Sequence, residues 1–179
     1  MQLVLFLLCL LPVAGPVVLA AAHPAVLPDV TLQDQDGRTL EFAALRGRAV
    51  VIVYGGRAGA EEHSLWGRRL DAELRRRGVY RAEDPETARR VHILAVAQMG
   101  SIPEAFRFLI RAAVRPKVEK GYSLWLDWDD RMTRAFGAHE PHSTVVVVDP
   151  EGTVRLVVGG PPTGPQVEAV LQALGDVLP

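Results

Sequence analysis

VVIVYGGRAGAEEHSLW, residues 50–66, is the stretch of sequence that decides the fold. It begins with an unbroken apolar run, which is typical of a central β-strand covered on both faces. Small residues follow, and after them apolar and polar residues alternate with helical spacing. The stretch therefore predicts a buried strand that passes through a short glycine-rich loop into a helix. At such a junction the first N–H groups of the helix are unpaired and attract negative charge.

Further strands are predicted on both sides of this junction. The predicted strands are residues 49–54, 91–96, 144–149 and 154–158, with a hairpin before them at 29–45. Asp36-Gly37 is a strong turn signal in the first hairpin. The tetrapeptide Asp149–Gly152 has the residues that a type I turn favours, so the last two strands are expected to pair as an antiparallel hairpin.

Four helices are predicted in the intervals. They cover residues 60–77, a stretch opened by a capping box at Ser101–Glu104, residues 129–136 capped by Asp129, and a last helix that starts at Gly164-Pro165. The residues expected to face the core are Leu65, Trp66, Leu70 and Leu74, then Phe106, Leu109, Ile110 and Ala113, and finally Val167, Val170, Leu171, Leu174 and Leu178. Strands that alternate with helices predict an α/β three-layer sandwich, with a central mixed sheet flanked by helices.

Composition restricts the class of partner. The chain has 179 residues and a net charge of −1, which fits one domain with one hydrophobic core. No long-range field attracts nucleic acid or an anionic membrane, so no nucleic-acid partner is expected. The arginines of residues 68–77 could form a basic patch, but nearby acidic residues offset them, and a solvated helix face is favoured. These acidic residues are Asp71, Glu73, Glu83, Asp84 and Glu86.

The beginning of the chain has the composition of an export signal. Leu3 to Ala20 is almost wholly apolar and ends in small residues, so residues 1–22 are interpreted as a signal peptide or an uncleaved N-terminal anchor. Residues 23–179 then form the domain, in the periplasm or secreted, and it contacts a membrane only if the segment is uncleaved. Cys9, the single cysteine, lies inside this segment. The mature protein would therefore contain no thiol, and no thiol-based peroxidase or disulfide oxidoreductase activity is expected.

Two longer motifs resemble a known family. LRGRAVVIVY (45–54) and LDWDDRMTRAFGAHEPHSTVVVVDPEGTVRLVVGG (126–160) resemble the redoxin branch of thioredoxin-like proteins, which includes peroxiredoxins and TlpA-type exported thioredoxins. The element order fits the same branch. The resemblance covers roughly residues 29 to 175 and implies a thioredoxin-like fold with an N-terminal β-hairpin.

The redox residues of that family are missing at the matching positions. Counting along the family pattern puts the nucleophilic cysteine at Gly59, the resolving cysteine at Glu62 and the cis-proline at Ser143. The resemblance thus implies the fold without the thiol chemistry. GRAGAEE (56–62) and residues 146–152 are more similar to YtfJ-type periplasmic proteins, which look like thioredoxin-fold proteins that lack a redox cysteine pair.

The loop that opens the first helix is the first candidate site. Arg57 and the N–H groups near Gly59 would hold an anionic group, with Glu61, Glu62 and Ser143 beside them. The alternative is structural: the two glutamates complement the helix dipole, and the arginine is only a solvated side chain of the loop.

A metal site is the second candidate. In the predicted fold the segment 139–142 faces the 57–63 loop, so His63, His139 and His142 would converge with Glu61 and Glu62. Imidazoles and carboxylates suit Zn²⁺ or Cu²⁺. The alternative is that these are surface histidines with local hydrogen bonds. The aromatic residues Tyr122, Trp125 and Trp128 are likewise either a partner surface or the edge of the core.

Two functions are carried forward. The first is an exported, cysteine-free thioredoxin-like domain that is a non-catalytic binding or accessory module of the cell envelope. Its ligand would be a protein partner or a small anionic ligand, and no cofactor is expected. The second is a redox-related or metal-binding (Cu or Zn) thioredoxin-fold protein that acts with a separate thiol partner.

Overall fold

One mixed seven-stranded sheet organises the chain. The structure is a computed structural model, and it describes residues 26–79, 90–137, 139 and 141–178. The predicted signal segment and Cys9 therefore lie outside the described residues. The strands are β1 (Thr31–Asp34), β2 (Thr39–Glu41), β3 (Ala49–Gly55), β4 (Val91–Gln98), β5 (Leu124–Asp127), β6 (Thr144–Val148) and β7 (Val154–Gly159). The helices are α1 (Ala60–Arg76), α2 (Glu104–Val114), α3 (Arg131–Phe136) and α4 (Gly164–Gly175), with 3₁₀ turns at Phe42–Leu45, Arg57–Gly59 and Arg115–Lys117.

The strand order is β2-β1-β5-β4-β3-β6-β7. Strands β3, β4 and β5 run parallel, whereas β6 is antiparallel to β3 and to β7. The hairpin β1–β2 joins the other edge by antiparallel pairing with β5. This arrangement confirms the predicted α/β class with a central mixed sheet and both predicted hairpins.

Both hairpin turns have the predicted chemistry. The N–H of Gly37 donates to the carbonyl oxygen of Asp34 at 3.0 Å, and Gly37 has φ of 83°, a conformation that glycine adopts without strain. The N–H of Gly152 donates to the carbonyl oxygen of Asp149 at 3.0 Å. The turn residues therefore set where each pair of strands reverses.

The core lies on both faces of the sheet because successive strand residues point to opposite sides. One cluster places Val51 and Val53 of β3 against Trp66 of α1 and Leu171 of α4. The other cluster lies between the sheet and the elements of the opposite layer, and its buried members are Val30, Leu32, Phe42, Leu45, Val50, Ile52, Tyr54, Leu94, Val96, Met132, Phe136, Val146 and Val148. These two clusters confirm the three-layer prediction and the double burial of β3 and β6.

The buried stripe of α1 is narrower than predicted. Trp66, Leu70 and Leu74 are buried, but Leu65 is 38% exposed and the prediction for it is wrong. Residues four apart lie along one side of a helix, whereas adjacent residues diverge, so Leu65 turns away from the sheet. The helix ends before Gly78, which has φ of 72°, as predicted.

The cap of α3 comes from a different aspartate than predicted. The helix starts at Arg131, and the buried carboxylate of Asp127 accepts the N–H groups of Arg131 at 3.0 Å and Met132 at 2.9 Å. Asp130 has φ of 52°, and this left-handed residue turns the chain back over the end of β5. Asp129 instead pairs with Arg107, so the predicted start at 129 and the predicted Asp129 cap are wrong.

Helix α2 departs furthest from its prediction. It begins at Glu104 with Pro103 at the N-cap and no side-chain cap, so the Ser101–Glu104 capping box does not form. None of its residues is buried, and Phe106 and Leu109, which were predicted to face the core, are 56% and 52% exposed. Ala113 is exposed too, and Ile110 is half-buried. The half-buried side of this helix carries two arginines beside two aliphatic residues: Arg107, Ile110, Arg111 and Val114.

The three aromatic residues near β5 have different surroundings. Trp128 is buried and Trp125 is half-buried against the core, which fits the edge-closing interpretation. Tyr122 is 65% exposed and takes no part in closing the core.

Candidate functional site

The predicted junction forms at the carboxyl end of β3. The strand ends at Gly55, the chain passes through the 3₁₀ turn Arg57–Gly59, and α1 begins at Ala60. Because β6 is antiparallel to β3, with Tyr54 opposite Thr144, the segment before β6 lies beside this junction. The structure therefore brings the predicted segment 56–63 and the described residues of the predicted segment 139–144 to one end of the sheet.

Gly59 packs directly against the segment before β6. A Cβ atom on Gly59 would lie 3.2 Å from the carbonyl oxygen of Pro141 and 3.3 Å from the nitrogen of Ser143. The hydroxyl of Ser143 is buried and donates to the carbonyl oxygen of Gly59 at 3.3 Å. A side chain at position 59 would consequently press on backbone atoms, which cannot rotate away.

Glu62 holds the same segment with its carboxylate. Oε2 accepts the N–H of Ser143 at 3.1 Å, and Oε1 lies 2.8 Å from Nδ1 of His142. Burial alone would raise the pKa of Glu62. The bonds from His142 and Ser143 and the charges of His142 and His63 outweigh burial, so the pKa is lowered below its ordinary value. The carboxylate is thus held in its charged form as a structural contact.

The other two candidate residues of the loop stay accessible. Arg57 and Glu61 are exposed to solvent at the start of α1. Gly59 and Glu62 each contact Ser143, so the predicted set separates into a closed part and an open part. Of the predicted ligand-binding residues, Arg57 and Glu61 are therefore the ones whose charges are exposed.

The three histidines do not gather at one point. His142 faces Glu62 of α1, whereas Nδ1 of His139 lies 2.8 Å from Oγ1 of Thr144 and its ring lies over Gly159. His63 is directed at Gly55, where Nε2 would be 2.9 Å from an added Cβ. Among the residues that the structure describes, no group of three or more His, Cys, Asp or Glu is placed to hold a metal ion.

One residue near the site was missed by the sequence analysis. Tyr54 is fully buried at the end of β3, and its hydroxyl donates to the carbonyl oxygen of Gly137. Burial raises the pKa of this phenol above its ordinary value, so it stays protonated. The sequence did contain a signal for this residue: Tyr54 ends a run of valine and isoleucine, and a buried tyrosine needs a hydrogen-bond partner for its hydroxyl.

A cavity of about 240 Å³ lies at the opposite end of the sheet. It is bounded by Val50 at the start of β3, Val148 at the end of β6 and Arg46. None of the predicted site residues lines it. The predicted site and this cavity are therefore separate features.

Solved structures resemble the chain over most of its length. The exposed lipoprotein thioredoxin of Streptococcus pneumoniae matches 83% of this chain and 99% of its own, with 18% identity and a TM-score of 0.58. A putative thiol:disulfide interchange protein DsbE of Chlorobium tepidum matches 88% and 98%, with 20% identity and a TM-score of 0.58. Peroxiredoxin Q of Xanthomonas campestris matches 88% and 97%, with 20% identity and a TM-score of 0.57.

The fold is thioredoxin-like. At this level of identity the likeness concerns the fold, which confirms the fold implied by the sequence motifs. No known protein family and no curated protein matches the chain. Within the described ranges, no helix has the length and apolar character needed to cross a membrane.

Proposed function

We propose that this chain is an exported thioredoxin-fold protein that is a binding or accessory module of the cell envelope and performs no thiol chemistry. One observation carries the proposal. Counting along the redoxin motifs puts the two redox cysteines at about Gly59 and Glu62, and both of these residues contact Ser143 or the residues just before it. The chain thus keeps the thioredoxin-like fold, while Gly59 and Glu62 make structural contacts in place of thiol chemistry.

Thiol chemistry at this end of the sheet would need a thiolate as the attacking atom. The only cysteine of the sequence is Cys9, inside the segment interpreted as a signal or anchor. The Ser143 hydroxyl is buried and donates to the carbonyl oxygen of Gly59, so it is not exposed to attack a substrate in place of a thiolate. These points support a role in binding.

The accessible part of the junction supplies the proposed contact. Arg57 and Glu61 are exposed beside the first turn of α1, where unpaired N–H groups favour negative charge. We therefore assign Arg57 the contact to an anionic group, on a protein partner or on a small ligand.

Export to the periplasm or cell surface belongs to the same proposal. The apolar run from Leu3 to Ala20 supports it, and one structural neighbour is described as an exposed lipoprotein. We place the chain nearest to the YtfJ-type group within this fold, because residues 56–62 resemble the stretch which that group carries at its cysteine positions.

The test has an activity arm and a binding arm. Purified protein should show no turnover of peroxide or of a disulfide substrate, and Cys9→Ser should behave identically. A photo-crosslinker at Glu61 should capture a discrete adduct in the envelope of the native host, and Arg57→Glu should abolish it, whereas a crosslinker at exposed Glu151 should not form it. Turnover by the protein, or the same adduct from Glu151, would contradict the proposal.

Metal binding is the second candidate, because Nδ1 of His142 lies 2.8 Å from Oε1 of Glu62, and an imidazole beside a carboxylate supplies two of the ligand types that Cu and Zn take. Such a protein would act with a separate thiol partner. The discriminating measurement is the Cu and Zn content of untagged protein beside His142→Ala. If the wild-type protein holds stoichiometric metal and His142→Ala does not, the metal-binding function replaces the binding-module proposal. If neither protein holds metal, the binding-module proposal is supported.

A further inference from the structure

Helix α2 presents apolar side chains to solvent along one side. Phe106, Phe108 and Leu109 are 56%, 58% and 52% exposed, and Ala112 and Ala113 are exposed beside them. No residue of α2 belongs to either of the core clusters found among the described residues. Exposed apolar residues that stand singly are ordinary, but a group of this size on one helix is of the kind that marks an interaction surface.

Contacts on the other side of α2 hold the helix in this orientation. Nη2 of Arg107 donates to Oδ1 of Asp129 at 3.1 Å, and Nη1 of Arg111 donates to Oε1 of Gln33 at 3.2 Å. Ile110 is half-buried on the same side. Turning the helix to cover its exposed side would break these contacts, so the exposed side is left available to a partner.

Helical spacing arranges the exposed residues of α2 in two rows, because residues three, four or seven apart lie along one side of a helix. The first row, read along the chain, is Glu104, Phe108, Ala112 and Arg115. The second row is Phe106, Leu109 and Ala113. Arg115 continues the helical path, since it is the C-cap and has αR backbone angles. In each row a phenylalanine precedes an alanine, and the first row also runs from an acidic to a basic residue.

The two rows are complementary to themselves in reverse order. In a two-fold symmetric pair of antiparallel helices, each row meets the same row of the other copy, read backwards. Phe106 then faces Ala113 and Phe108 faces Ala112, so a ring lies against a methyl group in each case. Leu109 meets its own counterpart at the two-fold axis. These pairings share a centre close to Leu109, so a single register satisfies all of them.

We propose that the exposed side of α2 pairs with the same side of a second copy of this chain, with the two helices antiparallel. Charge complementarity selects this occupant, because the same register sets Glu104 of one copy against Arg115 of the other. Nε of Arg115 lies 2.9 Å from Oδ1 of Asp36, and the arginine side chain is still 62% exposed at the edge of the surface. The helix dipoles are antiparallel too, so ends of opposite partial charge meet.

Other occupants match these charges less well. A parallel pair would bring the two copies of Glu104 together, and likewise the two copies of Arg115, and like charges oppose association. A surface of one sign, such as an anionic bilayer, would attract one end of α2 and repel the other. Lys117 and Lys120 do not change this balance, because exposed Glu119 lies between them. The proposal goes beyond the proposed function, because it uses no residue of the 56–63 segment.

The size of the surface predicts a weak dimer. Helix α2 has 11 residues and is therefore about 16 Å long. A stable interface usually buries about 800 Å² on each partner, which is more than one short helix offers. The association should consequently depend on protein concentration, with the monomer prevailing in dilute solution.

Cross-linking in the full chain tests the register. In a Cys9→Ser background, Phe106→Cys is mixed with Ala113→Cys and oxidised with copper phenanthroline. Mass spectrometry should find position 106 of one copy joined to position 113 of the other. Either protein alone should link poorly, because its two thiols would be offset by about 10 Å along the helices, beyond the reach of a disulfide. Leu65→Cys, at an exposed position on α1, should link to neither, and Phe106→Cys that links mainly to itself would overturn the proposal.

Charge reversal tests the pairing of the helix ends. Glu104→Arg and Arg115→Glu each set like charges against one another in their own dimers, so sedimentation of either protein alone should show association about tenfold weaker than wild type. An equal mixture of the two proteins restores both opposite-charge pairs and should associate as wild type does. Circular dichroism checks that each variant is folded.

Leu109→Asp, at the two-fold axis, should remove the association, whereas Leu65→Ser should leave it unchanged. Wild-type protein that stays monomeric at every concentration would overturn the proposal, whether or not it binds anionic vesicles. A mixture of charge variants that associates no better than its components would also overturn it. Equal association of wild type and Leu109→Asp would do so as well, because the N-terminal apolar segment that both proteins share would then explain the contact.

Discussion

The junction at the end of β3 differs sharply from the exposed apolar side of α2, which carries Phe106, Phe108 and Leu109 and is called here the outer face of α2. At the junction, Gly59, Glu62 and Ser143 satisfy one another, and the segment before β6 is held against α1. On α2, Phe106 and Phe108 are more than half exposed, while Arg107 and Arg111 make polar contacts to the rest of the domain. Part of the region that the sequence marks as a site is closed, while two residues that the sequence marks as core, Phe106 and Leu109, are exposed.

The difference shows where binding free energy remains available. Groups that already hydrogen-bond to each other gain little from a partner, because the exchange replaces one set of bonds with another. Burying an exposed phenylalanine gains about 1.5–3 kcal/mol relative to leaving it in water. The α2 surface therefore has more to gain from a partner than the closed part of the junction.

The largest expected effect comes from opening the junction. Gly59→Ala should destabilise the fold by about 1–3 kcal/mol, because the new methyl group presses on backbone atoms of the segment at 141–143. Gly67→Ala, inside α1 with nothing within 4 Å of its added Cβ, should instead stabilise by about 1 kcal/mol. Denaturant unfolding of both variants measures the contrast, and equal stability of the two would break the comparison.

Glu62→Gln should have a smaller effect on the same contact. It removes the charge that faces His142 and should cost about 1 kcal/mol at neutral pH, whereas Glu61→Gln, at an exposed position, should change little. Chemical denaturation of the two variants provides the measurement. An equal loss from Glu61→Gln would show that the junction contact is not the cause.

The pH dependence of that loss has a definite sign. The pKa of Glu62 is lower in the folded chain than its ordinary value of 4.5, so its charge stabilises the fold above that pH. The contribution disappears as the pH falls through the folded-state pKa. The difference between wild type and Glu62→Gln should therefore shrink on acidification, and a difference that grows would contradict the assigned contact.

Phe108→Ser should have the smallest effect. The side chain is 58% exposed and outside the core clusters, so stability should change by no more than about 0.5 kcal/mol. Its matched control is Trp66→Ala in α1, a fully buried position at which a loss of about 3–5 kcal/mol is expected. A loss above about 2 kcal/mol at Phe108 would place that ring in a core and break the comparison.

The sequence predicted six of the seven strands, because the central strands are nearly continuous apolar runs and the hairpin turns contain Asp-Gly and Asp-Pro-Glu-Gly. It missed β5 (Leu124–Asp127), whose four residues are too few to show a strand pattern. It also located α1 and α2, since both have helical periodicity. Periodicity identifies an amphipathic helix, but the direction of its apolar side depends on contacts such as Arg111 with Gln33, far apart in sequence.

The candidate site shows the same limit. Counting along the family motifs placed Gly59, Glu62 and Ser143 at equivalent functional positions, and the structure does bring them into contact. The direction of each side chain was not predictable. His139 turns to Thr144 and not to His142, because residues three apart in a loop have no fixed common face.

Thiol accessibility tests the central contrast most directly. In a Cys9→Ser background, Ser143→Cys places a near-isosteric thiol at the closed junction and Phe108→Cys places one on the outer face of α2. Maleimide labelling of the native proteins should be fast at position 108 and slower by about a hundredfold or more at position 143, because reaction there requires opening of the junction. Equal rates at the two positions, or faster labelling at 143, would contradict the account.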